Sequence, residues 1–254
     1  MFIDTHVHLN NHDLFNKIDE VLSDAKKEGV NKFLVVSYDL NSSKLALEIA
    51  RKYDNCYCAI GFHPTEIKDY SDFEYNWLES HLKDEKVVAL GEIGYDFYHD
   101  DTTKEEQEKA FVRQIELAKK YKLPVVIHSR DALELTFQTL KENHIEEVGG
   151  VMHSYSGSYE FAPNFLKLNL LLGISGPVTF KNGIKMKEVV RNIPLEYLLS
   201  ETDSPYLTPH PYRGKENGPK YIPLIVNEIA NIKEINIDDC AKQLMENANK
   251  LFKI

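Results

Sequence analysis

The chain has 254 residues, of which 43% are hydrophobic, enough for the core of one large domain or two small ones. Its net charge of −10 argues against a broad electrostatic grip on nucleic acid, although cations and a few arginines at one mouth would still allow a nucleic-acid enzyme. No stretch approaches the roughly 18 apolar residues that cross a membrane. The amino terminus, MFIDTHVHLN, has no apolar signal core, so we expect a soluble, cytoplasmic protein.

Eight short apolar runs with strand character alternate with longer segments that have the period of a helix. Strands separated by helices are typical of parallel sheets with right-handed crossovers, and eight such strands close a (β/α)₈ barrel of about 250 residues. An open doubly wound sheet is the alternative, but no glycine-rich phosphate loop follows the first run. The predicted strands are Phe2–Thr5, Lys32–Ser37, Tyr57–Gly61, Val87–Ile93, Pro124–His128, Gly150–His153, Asn169–Ile174 and Tyr197–Glu201.

The segments between the strands carry apolar residues three and four positions apart, which predicts amphipathic helices. Residues 71–74 and 103–106 have the spacing of capping boxes, in which side chains bond to free amide groups at a helix start. Residues 219–254 are long enough for two helices. Because no change in composition marks a boundary, we predict one α/β domain over residues 1–254, a TIM-like barrel with an extra C-terminal helix.

The three cysteines are too few for a disulfide framework. Cys56 and Cys58 lie in an apolar run, and no second cysteine pair is present to complete a thiolate zinc site. We therefore predict that they are buried as small hydrophobic residues.

Histidines and carboxylates gather at the ends of the predicted strands. His6 and His8 lie two positions apart, so both imidazoles can reach one cation. Each residue alone could be hydrogen-bonded structure or a helix cap, but packing all of them together without a cation leaves like charges and unsatisfied acceptors. The carboxyl ends of the strands are the face where barrel enzymes place their active sites. The six candidate metal ligands are His6, His8, Glu92, His128, His153 and Asp203.

Six ligands predict two divalent ions, because a structural zinc needs four protein ligands and a catalytic zinc three. We assign the histidine pair of the first strand and Asp203 to one ion, and His128 and His153 to the other, with Glu92 bridging. Ions about 3.5–4 Å apart can stabilise the attacking and leaving oxygens of a phosphodiester, amide or ester hydrolysis. Magnesium, manganese and zinc all suit this ligand set, so the identity of the metal stays open.

Six segments carry a resemblance to a known family: FIDTHVHL, GFHP, GEIGYDFY, PVVIHSRDA, HSYSG and SETDSPYLTP. In this order, from residue 2 to about residue 220, they closely resemble the TatD-like metal-dependent deoxyribonucleases, within the amidohydrolase-like barrels. The resemblance implies a TIM-like barrel, a two-metal site at the six residues above, and nuclease activity on DNA.

The same resemblance points to three substrate-binding residues, His63, Arg130 and Arg213, which could contact phosphate oxygens. Their structural alternatives are a capped helix for His63, a salt bridge with Asp131 or another carboxylate for Arg130, and a solvated loop charge for Arg213. We expect exonucleolytic hydrolysis of DNA by a water that two metals activate, with Asp203 as the general base. RNA as a second substrate and the direction of cleavage stay open. We expect a monomer without a membrane partner.

Two alternatives remain. The first keeps the metal centre but cleaves an ester or amide, such as an aminoacyl-tRNA. Many amide-cleaving relatives bridge their metals with a carboxylated lysine on strand four, whereas Glu92 stands there in this chain, which favours the nuclease. The second alternative is a metal-binding barrel without catalysis, which turnover of any substrate would exclude.

Overall fold

The computed structural model describes residues 1–254 and contains one sheet of eight parallel strands in the order of the chain. Each strand pairs with the next, as the sequence predicts for repeated crossovers. The strands are β1 (Phe2–Val7), β2 (Val30–Val36), β3 (Cys56–Ile60), β4 (Val87–Asp96), β5 (Val125–Arg130), β6 (Gly150–Met152), β7 (Leu170–Ile174) and β8 (Leu198–Ser200).

The first and last strands meet and nearly close the barrel. Val7 forms a parallel bridge with Ser204. Before that point, the Thr5 hydroxyl donates to the Ser200 carbonyl at 3.0 Å, and the Ser200 hydroxyl donates to the Ile3 carbonyl at 3.2 Å. The predicted (β/α)₈ architecture is therefore confirmed, with side-chain hydrogen bonds joining β1 to β8.

Helices cover the outside of the barrel, and three of them begin with a capping box. Two are the predicted boxes at residues 71–74 and 103–106, and the third, Asp39 with Ser42, lacks the usual Glu or Gln and was not predicted. None of the helices is both long and apolar enough to cross a membrane. The helices are α1 (His12–Phe15), α2 (Ile18–Lys27), α3 (Leu40–Lys52), α4 (Asp72–His81), α5 (Lys104–Tyr121), α6 (Leu133–Glu142), α7 (Ala162–Leu166), α8 (Ile184–Asn192), α9 (Ile222–Lys233) and α10 (Ile237–Phe252).

Alternate residues of the strands face two separate apolar clusters. In β2, Leu34 belongs to the smaller cluster and Phe33 to the larger one that packs under the helices. Phe252 of α10 joins the smaller cluster, and Asn247 donates to the Leu198 carbonyl at the start of β8. The extra helix therefore covers the amino-terminal end of the barrel and leaves the opposite end open for a site.

All three cysteines are buried and unpaired. The prediction that Cys56 and Cys58 pack as small hydrophobic residues is confirmed, since both lie in the apolar core.

Candidate metal centre

The barrel brings the six predicted ligands to the carboxyl ends of its strands. His6 lies near the end of β1, and His153 directly follows β6. Asp203 lies three residues beyond β8, where its amide donates to the His6 carbonyl at 2.9 Å. Glu92 and His128 lie within the carboxyl-terminal halves of β4 and β5, which end at Asp96 and Arg130, beyond the predicted ends.

Three ligand atoms, of His6, His8 and Asp203, surround one small space, and a fourth, of Glu92, lies beside His6. His6 Nε2 lies 3.3 Å from His8 Nε2 and 3.4 Å from Glu92 Oε2. Asp203 Oδ1 lies 3.3 Å from His8 Nε2 and 3.7 Å from His6 Nε2. His8 Nδ1 donates to the Val36 carbonyl at 2.9 Å, so a neutral His8 directs the lone pair of Nε2 into this space.

These donors fit a divalent cation. A tetrahedron with metal–ligand bonds of about 2.1 Å has edges of about 3.4 Å, close to the separations just given. Two facing Nε2 atoms and two carboxylates are poor hydrogen-bonding partners for one another in the unprotonated state, but they are good ligands. The candidate ligands of this position are His6, His8 and Asp203, with Glu92 Oε2 next to His6.

Glu92 and Asp203 each turn a second oxygen towards other imidazoles. Glu92 Oε1 lies 2.8 Å from His128 Nδ1 and 3.9 Å from His153 Nε2. Asp203 Oδ2 lies 3.7 Å from His153 Nε2. This arrangement suits a bridging role for Glu92 and gives Asp203 access to both sides of the cluster.

His128 and His153, which we expected to share one ion, turn to different neighbours. Groups whose ligand atoms all lie within 4.8 Å of one another are His6–His8–Asp203, His6–His153–Glu201 and His63–Glu92–His128. The ring of His153 stacks on that of His6 at 3.6 Å between centroids. The structure therefore brings His63 and Glu201 closer to the ligands than the sequence suggested.

The buried charges stabilise one another. Burial opposes ionisation of Glu92, yet His153 and His6 hold the pKa of this carboxyl well below its usual range. Burial likewise opposes protonation of His153, yet Glu201, Asp203 and Glu92 raise the pKa of this imidazole well above its usual range. The cluster thus attracts positive charge, which a metal ion can supply in place of protons.

His63 lies at the edge of this cluster, three residues beyond β3. Its ring centroid is 4.3 Å from that of His128, and its Nδ1 is 2.8 Å from the Thr65 hydroxyl. Burial lowers the pKa of His63 to about 3, so this side chain is neutral near pH 7. A neutral imidazole still offers one N–H donor to a substrate oxygen.

Both predicted arginines stack on aromatic rings. The guanidinium carbon of Arg130, at the end of β5, lies 4.0 Å from the centroid of Tyr98. That of Arg213, in the loop after β8, lies 4.1 Å from the centroid of Phe180. Arg130 forms no salt bridge with Asp131 or any other carboxylate, so the N–H groups along the planar edge of its guanidinium can donate hydrogen bonds to a ligand.

Asp96 and Glu201 are buried carboxylates beside the ligands that sequence reasoning missed. Asp96 Oδ2 accepts from His128 Nε2 at 3.0 Å, and Glu201 Oε1 lies 3.0 Å from His153 Nδ1. The sequence indicates these two residues only weakly. Asp96 follows Glu92 by four residues and Glu201 precedes Asp203 by two, so each lies near a predicted ligand, but this spacing does not show where either carboxylate points.

Comparison with known proteins shows the family of this chain. A family model described as TatD related DNase matches residues 3–253. The uncharacterized metal-dependent hydrolase YabD of Bacillus subtilis is 44% identical over 254 residues, which cover 100% of both chains.

Two crystal structures are similar along the whole chain. YjjV, a TatD homolog from Escherichia coli K12, has a TM-score of 0.95 at 32% identity, covering 100% of this chain and 98% of that one. A hydrolase of the TatD family from Entamoeba histolytica has a TM-score of 0.86 at 27% identity, covering 99% of this chain and 97% of the other. The similarity therefore includes the complete barrel and every segment that carries a candidate ligand.

Proposed function

We propose that this chain, a metal-dependent hydrolase that belongs to the TatD related DNase family, cleaves phosphodiester bonds of DNA from a strand end. One observation carries the proposal: the ligand atoms of His6, His8 and Asp203 lie 3.3–3.7 Å from one another at the carboxyl end of the barrel, and Glu92 Oε2 lies 3.4 Å from His6 Nε2. Such a cluster is suited to divalent cations, and His128 and His153 provide further ligands on its other side. We propose two ions per chain, of magnesium, manganese or zinc.

Bound cations would lower the pKa of a water molecule towards neutrality and stabilise negative charge on the phosphate oxygens. Asp203 is the proposed general base, because it has an oxygen on each side of the cluster. Glu92, with oxygens on both sides, holds the two halves of the cluster together. Burial opposes ionisation of Asp203, yet the neighbouring imidazoles, above all His153, hold the pKa of this carboxyl below its usual range, so it is ionised at pH 7.

His63, Arg130 and Arg213 are the proposed contacts for phosphate. His63, a neutral imidazole close to His128, would donate its N–H to a phosphate oxygen. The two arginines would bind phosphate oxygens with their planar edges while Tyr98 and Phe180 support their faces. The positive charge of the two arginines and the cations would let a chain of net charge −10 bind an anionic substrate at this end of the barrel. We further propose that the protein acts as a cytoplasmic monomer, with DNA and possible RNA substrates and no membrane partner.

The test is a degradation assay with end-labelled oligonucleotides. Purified protein is loaded in turn with magnesium, manganese or zinc and incubated with single-stranded DNA, duplex DNA and RNA of the same sequence. We expect mononucleotides to be released from one end of DNA, and none after a chelator has removed the metal. Identification of the product ends gives the direction of cleavage.

Asp203→Asn tests the assigned base, with Asp239→Asn as the matched control at an exposed position on α10. We expect kcat to fall by about 10²–10⁴-fold in the first variant and to stay unchanged in the second. Near wild-type rates in Asp203→Asn would contradict its role. Failure of every metal form to release nucleotides would overturn the proposed function, and release of amino acid from aminoacyl-tRNA would place the chain among the ester-cleaving barrels instead.

A further inference from the structure

The imidazole of His153 contacts a carboxylate on the side that faces away from the cluster. His153 Nε2 faces Glu92 and Asp203, whereas its Nδ1 lies 3.0 Å from Glu201 Oε1. This contact is an ion-pair distance and not a formed hydrogen bond, and neither His153 Nδ1 nor Glu201 Oε2 has a hydrogen-bond partner. Glu201 Oε1 also accepts from the Ser154 amide at 2.6 Å, which ties the carboxylate to the residue after His153.

The barrel leaves a space that the Glu201 carboxylate fills. A Cβ atom on Gly173 of β7 would lie 2.3 Å from Glu201 Oε2 and 2.7 Å from Oε1. The backbone of Gly173 is not in the left-handed region, so space rather than conformation requires the glycine. Glu201 is only 1% exposed, so the fold isolates this carboxylate from water.

His128 has the same kind of support with its nitrogens reversed. Its Nε2 donates to Asp96 Oδ2 at 3.0 Å, and its Nδ1 faces Glu92 Oε1 at 2.8 Å. Asp96 Oδ1 accepts from the amides of Tyr98 and His99, both at 2.9 Å, so the backbone fixes this carboxylate too.

We propose that Glu201 and Asp96 are positioning residues that fix which ring nitrogen His153 and His128 offer to the cations. Asp96 accepts the N–H of His128 Nε2, and Glu201 Oε1, 3.0 Å from His153 Nδ1, favours a proton on that nitrogen, so His153 binds metal through Nε2 and His128 through Nδ1. The inference rests on the metal centre of the proposed function. It does not depend on the substrate, because neither carboxylate contributes to the recognition of DNA. Removing either support weakens metal binding through the imidazole that it orients.

The first experiment is ¹⁵N NMR of the histidine rings in the zinc-loaded protein, without any variant or nucleic acid. We expect a proton on Nδ1 of His153 and on Nε2 of His128, with zinc on the other nitrogen of each ring. Zinc on Nδ1 of His153 or on Nε2 of His128 overturns the proposal, whether or not the protein degrades DNA.

The second experiment measures zinc affinity of Glu201→Gln and Asp96→Asn by calorimetric titration. We expect the weaker of the two zinc-binding steps to lose about 10- to 100-fold in affinity and the other step to change little. Glu228→Gln, which removes the same charge from a carboxylate paired with Lys187 on the outer helices, is the control and keeps both affinities. Affinities within twofold of wild type in both site variants contradict the positioning role.

Gly173→Ala provides an independent approach to Glu201, because it displaces the carboxylate without removing it. We expect the same loss of zinc affinity as in Glu201→Gln. In a Glu201→Ala background, where the space is free, Gly173→Ala should cause no further loss. An equal effect of Gly173→Ala in both backgrounds would show that the glycine acts through the strand and not through Glu201.

Discussion

Replacing Thr202 by Val tests how the loop that carries Asp203 is attached to β1. Thr202 is fully buried, and its hydroxyl donates to Asp4 Oδ2 at 2.5 Å while its amide donates to Asp4 Oδ1 at 2.9 Å. The same hydroxyl accepts from the amide and the hydroxyl of Ser204, at 3.2 and 2.6 Å. Val has nearly the same shape but makes none of these side-chain bonds, so the substitution isolates the hydrogen bonds from packing.

The expected cost follows from those contacts. Thr202→Val removes three side-chain hydrogen bonds and leaves Asp4 Oδ2 buried without a donor, which should lower the free energy of unfolding by about 2–3 kcal/mol. For a chain of this size the melting temperature should fall by roughly 4–12 °C. Burial already raises the pKa of Asp4 to about 7, and losing the Thr202 donor should raise it further.

Chemical denaturation and calorimetry of the metal-free protein measure the effect. Thr202→Ser is the control: it keeps the hydroxyl and loses one methyl group, at a cost of about 1 kcal/mol. Because Asp203 is the next residue, zinc affinity should also fall more in Thr202→Val than in Thr202→Ser. A Thr202→Val protein as stable as Thr202→Ser would refute the view that these hydrogen bonds attach the loop.

Three further predictions concern other parts of the chain. Gly94→Ala should prevent stable folding, because φ at Gly94 is +145° and a Cβ would lie 1.9 Å from the His128 carbonyl oxygen. Gly218→Ala is the control, which has open space around it and should have the melting temperature of the wild type. Equal melting temperatures of the two variants would refute the argument. Burial raises the pKa of the Cys56 thiol to about 12 and that of Cys240 to about 11. A thiol reagent at pH 8 should therefore label no cysteine in the native protein and all three after denaturation. Fast labelling of the native protein would contradict this burial. Arg130→Lys keeps the positive charge but loses the planar edge of the guanidinium and its contact with the Tyr98 ring, so kcat/KM for DNA should fall about 10-fold. An unchanged kcat/KM would contradict the assignment of Arg130 to the substrate site.

The barrel could be predicted from the sequence because each strand of a parallel barrel is buried on both faces and therefore forms an apolar run. All eight predicted strands overlap observed ones, and the largest difference is in β4, which continues to Asp96 instead of ending at Ile93. Short elements such as α7, only five residues long, were not predicted, because they have too few turns to show a period.

That the six candidate ligands come together could also be predicted, because the carboxyl ends of all strands in a barrel lie at one end. What the sequence could not provide is the direction of each side chain at that end. Asp96 and Glu201 lie close to ligands in the sequence, and only the structure shows that their carboxylates contact the far nitrogens of His128 and His153. Gly173 is informative for the same reason, since its role is a space that exists only once β7 and the end of β8 are adjacent.

Anomalous diffraction from crystals loaded with zinc or manganese tests the metal centre most directly. We predict one peak within about 2.3 Å of His6 Nε2, His8 Nε2 and Asp203 Oδ1, and a second at a similar distance from Glu92 Oε1 and His128 Nδ1. Fully loaded crystals without a peak among these atoms, or with peaks only elsewhere on the barrel, would contradict the account.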